Sequence, residues 1–148
     1  MILVAVIITG IFAEVASINV SLARQMDGEA ELLFRGEAYR KAIRNYYESG
    51  RPTKTYPRSL EDLLKDPRSA HKSHLRKLYP DPFGSEDAGW KLLRASDGGI
   101  SGVASQSSKT PIKSGNFKQG NEKFESATSY ADWVFEYVPV AASAVSVR

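Results

Sequence analysis

The sequence predicts an α+β fold in which one long N-terminal helix packs on a small antiparallel sheet of about three strands. Three observations carry that expectation. Residues 1–23 hold a single charge, Glu14, whereas from Arg24 onward charges arrive every few residues. Leu32, Gly36, Tyr39, Ile43 and Tyr46 then recur at the alternating three- and four-residue spacing of one helix face. Segments that read as strands lie in the second half, at 90–95, 100–105 and 133–138.

The helix comes first. Residues 1–13 are apolar apart from Thr9 and Gly10. They cover about 20 Å at ~1.5 Å per residue, less than the roughly 30 Å hydrocarbon core of a bilayer. Val15, Ala16, Ile18, Val20 and Leu22 supply the missing length, but Glu14 and Asn19 interrupt it, and a lone carboxylate is costly in lipid. A cleaved secretory signal fits poorly: the basic n-region is missing, and cleavage after Ala16 would put Glu14 where a small residue belongs. No proline or glycine stops the chain between Ala13 and Met26, so the helix is expected to run on. Leu33 and Tyr47 widen its apolar face, and Glu31–Arg35 and Glu37–Lys41 are favourable i,i+4 pairs. Ser49, Gly50 and Pro52 end it, which gives one helix from near Met1 to about Glu48. The competing reading breaks it near Gly28 and makes its first half a buried core element.

The head follows. Ser59 is placed to cap a short helix, with Asp62 as its capping-box partner and Leu60, Leu63 and Leu64 facing inward, until Asp66-Pro67 stops it. A basic stretch from His71 to Tyr79 leads to Pro80-Asp81-Pro82-Phe83-Gly84, a rigid turn. Ser96-Asp97-Gly98-Gly99 suits a hairpin between the first two strands. In the third, Trp133, Phe135 and Tyr137 share one face, Val134 and Val138 the other. Tyr39, Ile43, Leu60, Leu63, Trp90, Trp133 and Phe135 are the expected core. Residues 106–128 form a polar stretch too long for a simple loop, read as functional or mobile. The organisation is thus an apolar helix segment (1–23), an amphipathic helix with its globular head (24–140), and a frayed tail (141–148).

Three segments resemble the pilin superfamily, and within it the major pseudopilins of type II secretion. Residues 7–13, with Ile7, Gly10 and Ile11, look like the late part of that family's N-terminal helix. Tyr56-Pro57-Arg58-Ser59-Leu60-Glu61-Asp62-Leu63 resembles its tyrosine-proline-x-serine-leucine-x-x-leucine segment. Tyr79-Pro80-Asp81-Pro82 is similar to the turn that leads into its sheet. The resemblance implies a pilin-like fold in an inner-membrane subunit whose head lies in the periplasm. Such a subunit would polymerise with itself, alongside other pseudopilins and inner-membrane assembly components. The family's leader and processing glycine have no counterpart here. With Gly10 aligned on the family's helix glycine, Met1 falls where the family usually has its buried glutamate, and Glu14, further along, is not assumed to replace it.

The chemistry points away from catalysis. The chain has no cysteine, so disulfides and thiolate metal sites are excluded. No nucleophile constellation or phosphate-binding glycine loop occurs. His71 and His74 stand among Lys72, Arg76 and Lys77 and are expected on a solvated basic face with no carboxylate to complete a metal site. Major pseudopilins similar to this chain hold calcium near their last strands. Here that region offers Asp97, Glu122, Glu125 and Asp132 among Lys109, Lys113, Lys118 and Lys123, so calcium is not expected, with Asp97 and Asp132 its best candidates. The net charge of +3 is mild and its basic groups lie on separate elements, so nucleic acid is not an expected partner. The rival readings are a type IV or DNA-uptake pilin and a monomeric, membrane-tethered binding module.

Overall fold

A computed structural model describes the backbone of residues 2–85 and 89–140, with helix side chains from residue 17 onward. Its architecture is the predicted α+β arrangement: one helix, α1 (Ile2–Glu48), on a three-stranded antiparallel sheet of order β1-β2-β3. The strands are β1 (Lys91–Arg94), β2 (Ile100–Ala104) and β3 (Val134–Glu136).

At 47 residues α1 is about 70 Å long. It passes Gly28 without a break, so the two-helix alternative fails. Gly28 and Gly36 of α1 sit where the head presses in. A Cβ on Gly28 would lie 2.7 Å from the Phe83 ring, and one on Gly36 would lie 2.3 Å from Phe135. Close approach offsets the roughly 1 kcal/mol that glycine costs a helix interior. The Glu31–Arg35 pair forms at 2.8 Å. Glu37, however, pairs with Arg40 rather than Lys41. The reason is that Arg40 also donates to the Gly120 carbonyl, at 3.1 Å, and is held within reach of Glu37.

β2 is buried along its whole length, as the central strand must be. Gly102 faces Glu136, where a Cβ would meet the Phe135 carbonyl at 2.6 Å. The strands are shorter than the sequence suggests. Trp133 closes a 3-10 turn (Tyr130–Asp132) by donating its N–H to the Tyr130 carbonyl, so β3 begins one residue later. The alternation survives: Trp133 and Phe135 are buried, while Glu136 is exposed.

Tyr39, Ile43, Leu63, Trp90, Trp133 and Phe135 are buried in one core, with Leu60 packed half-buried against it. Tyr39 anchors the middle of α1 through its hydroxyl, which donates to the Tyr79 carbonyl and accepts from the Tyr79 N–H, both at 2.9 Å. The short helix after Pro57 reduces to one 3-10 turn (Glu61–Leu63) without a side-chain cap from Ser59. Asp62 supplies the expected half of the box, accepting from the Arg58 and Ser59 N–H groups. The tail at 141–148 lies outside the described residues.

Candidate functional site

The face that buries Leu32, Gly36, Tyr39, Ile43 and Tyr46 extends backward in the same spacing through Glu29, Gln25, Leu22 and Ile18. Its chemistry changes twice along the way. Below, it is core. At Gln25 and Glu29 it is polar, yet Glu29 is only 4% exposed. Above, Ile18 and Leu22 are apolar and exposed, as are Met26 beside that face and Val20 on the opposite side of the helix.

The polar step is a collar that fastens the head to the helix. Gln25 Nε2 donates to the Thr110 carbonyl at 3.0 Å and to the Tyr130 hydroxyl at 2.8 Å. That hydroxyl donates in turn to Glu29 at 2.9 Å. The same carboxylate accepts the Ile112 and Lys113 N–H groups, at 2.5 and 3.2 Å. Burial pushes the Tyr130 hydroxyl up to about 12, with Glu29 beside it opposing a second negative charge. Phe83 stacks on Tyr130, with centroids 4.1 Å apart. The collar therefore orders the start of the long polar stretch, whose later part packs Phe117 and Phe124 around Trp133.

The other end of α1 is fastened by charge. Arg68 donates to the Tyr46 carbonyl at 2.7 Å, satisfying an end group of the helix, and lies 3.6 Å over the Tyr46 ring. Asp66 binds that guanidinium at 2.9 Å and His74 at 3.1 Å. Arg68 above all holds the Asp66 carboxyl well below the usual carboxylate range. His74 is therefore not on a solvated basic face with no carboxylate near it. It is tucked against Asp66 and the Tyr46 ring, while His71 is exposed.

The motif residues hold the head together. Asp81 accepts from the Phe83 N–H, the Ser105 hydroxyl and the Gln106 N–H, joining the proline turn to the end of β2. Pro57 accepts from the Ile100 N–H at 2.7 Å, and the Tyr56 hydroxyl donates to the Tyr137 carbonyl at 3.0 Å. Tyr79 receives Tyr39 and Trp90 on its carbonyl. Pro80 offers its carbonyl to Arg35, and Pro82 is half-buried in the same turn.

Of the calcium candidates, Asp97 accepts from the Gly99 N–H within the hairpin. Asp132 accepts from the amides and hydroxyls of Thr128 and Ser129. Among the described residues no three His, Asp or Glu side chains form a group able to hold a metal.

Sequence reading missed the collar and the Asp66–Arg68 clamp. Glu29 had a usable signal, a carboxylate in register with an apolar stripe. Arg68 had none, since its partner carbonyl belongs to the fold.

Above the collar, every side chain from Ser17 to Arg24 is exposed. α1 continues as helix to Ile2, while the side chains of Ile7, Gly10, Ile11 and Glu14 lie outside the described residues. No helix among the described residues is long and apolar enough to cross a membrane. No known family model, characterised protein or solved structure matches the chain.

Proposed function

We propose that the chain is a structural subunit of a pilus-like assembly, polymerising through α1, and that it is a pseudopilin of a type II protein secretion system. One observation carries this reading. A single helix gives its face to the head from Gln25 onward and leaves the continuation of that face, Leu22 and Ile18, in solvent. Covering a leucine, isoleucine or valine side chain gains roughly 1.5–3 kcal/mol, and identical helices side by side would cover this row in every copy. In the sequence, an apolar run over residues 1–13 precedes this row. Before assembly the stem would sit in the inner membrane with the head in the periplasm, from where the subunit would leave lipid to pack among its copies and their assembly partners. The role is mechanical and calls for no catalysis, metal or nucleic acid.

Lysine-reactive crosslinking of the full chain in membranes tests it. The expected result is a ladder of dimers, trimers and larger species, which collapses in Leu22→Asp while the head's thermal midpoint stays unchanged. A wild-type chain that remains monomeric in membranes would overturn the proposal.

A further inference from the structure

A groove of about 560 Å³ lies between α1 and the polar stretch, apart from the exposed stem. Its floor is apolar: Leu33, Phe34 and Ala38 from the helix, Phe117 from the loop. Phe34 is 60% exposed, an unusual state for the largest apolar side chain on that part of the helix. From Ala30 to Lys41 the lining follows the helix for roughly 16 Å, so the groove is elongated.

Its rim is cationic. Lys41, Lys113 and Lys118 line it, and none of the three pairs with a carboxylate among the described residues. Lys113 instead holds its ammonium 5.2 Å from the Phe117 ring centre. The one carboxylate in the lining, Glu37, is already neutralised by Arg40. Asn121, itself 4% exposed, also lines the groove.

We propose that this groove binds an extended segment of a partner polypeptide carrying an aromatic or aliphatic side chain flanked by carboxylates. The apolar floor takes the side chain and the lysines take the carboxylates. At ~3.3 Å per residue, a groove of this length fits about five residues. The site is separate from the stem, so it stands whether or not α1 polymerises.

Fluorescence anisotropy on the full chain tests it, with a dye-labelled Glu-Phe-Asp-Leu-Glu pentapeptide against Lys-Phe-Lys-Leu-Lys. Saturable binding of the acidic peptide alone is expected, weakening as salt rises. Joint Lys113→Glu and Lys118→Glu substitution should weaken it at least tenfold. Phe34→Ala, at an exposed position that leaves the core intact, should weaken it severalfold. Binding of neither peptide, or equal binding of both, would overturn the proposal. So would self-association that the lysine reversals abolish without any peptide binding, since the groove would then belong to a second copy. The stem's crosslinking ladder should persist in both groove variants, which keeps the two proposals separable.

Discussion

Leu22 and Leu32 lie on one face of one uninterrupted helix, about 15 Å apart, yet the first is 46% exposed and the second fully buried. Neither local sequence nor helix geometry distinguishes them. What differs is the collar between them, where Gln25 and Glu29 hand the helix over to Thr110, Ile112, Lys113 and Tyr130. Below it the apolar face has a sheet to pack on. Above it, from Ser17 to Arg24, the same face is covered by none of the described residues. The helix is thus two working parts with a boundary set by hydrogen bonds, and the chemistry of each part is readable only against what covers it.

The sharpest way to break this comparison is to truncate both leucines. Leu32→Ala should cost about 3 kcal/mol, the ordinary price of a cavity in a core that cannot fully collapse. Leu22→Ala should leave the unfolding midpoint of the isolated subunit within about 0.5 kcal/mol of wild type. Denaturant unfolding of the two variants reads the contrast directly. Equal destabilisation would mean that the head covers Leu22 as well, and the division at the collar would be lost.

A second variant asks whether the far end of the head half depends on charge rather than packing. Asp66→Asn removes the carboxylate that binds Arg68 and His74, and should cost about 2 kcal/mol at neutral pH. Because the Asp66 carboxyl titrates lower in the folded chain than in the unfolded one, its contribution is present above the unfolded pKa of about 3.9. It fades as the pH falls through the folded value. The stability gap between wild type and Asp66→Asn should therefore narrow below about pH 4. A gap that stays constant from pH 7 to pH 3 would remove the ion cluster from the explanation.

How much of this was legible follows from the range of each interaction. The helix was legible because its period repeats over many residues and tertiary partners only reinforce it. Tyr39, Ile43, Trp133 and Phe135 were legible for the same reason, as members of a period of 3.6 or of 2. The strands came out short because their ends are decided by neighbours: Trp133 is drawn into the Tyr130–Asp132 turn, and β1 shifts register between Leu93 and Arg94. His74 was misplaced because its carboxylate partner binds through a fold of the backbone between Asp66 and Lys72, whose carbonyl takes the Asp66 N–H. Arg40 broke the expected Glu37–Lys41 pair because a glycine eighty residues away offered it a carbonyl. Contacts of that kind have no local signature, whereas the boundary on α1 had one in Glu29, a carboxylate in register with an apolar stripe.

The smallest effect tests that boundary most finely. Glu29→Gln keeps the side chain's shape and one acceptor oxygen but removes its charge. Charge-assisted hydrogen bonds are about twice as strong as neutral ones, so the Ile112 and Lys113 amides should each lose roughly 1 kcal/mol of protection. That corresponds to about fivefold faster hydrogen exchange at those two amides. Core amides such as Val103, which exchange only when the head opens, should slow or hasten no more than global stability dictates. If the loss stays confined to residues 110–113, the collar is a local latch and the head below it is independently stable. If exchange quickens equally throughout the head, Glu29 belongs to the core. The helix would then have no boundary at Gln25, and the exposed stem would be the end of one packed face rather than a separate surface.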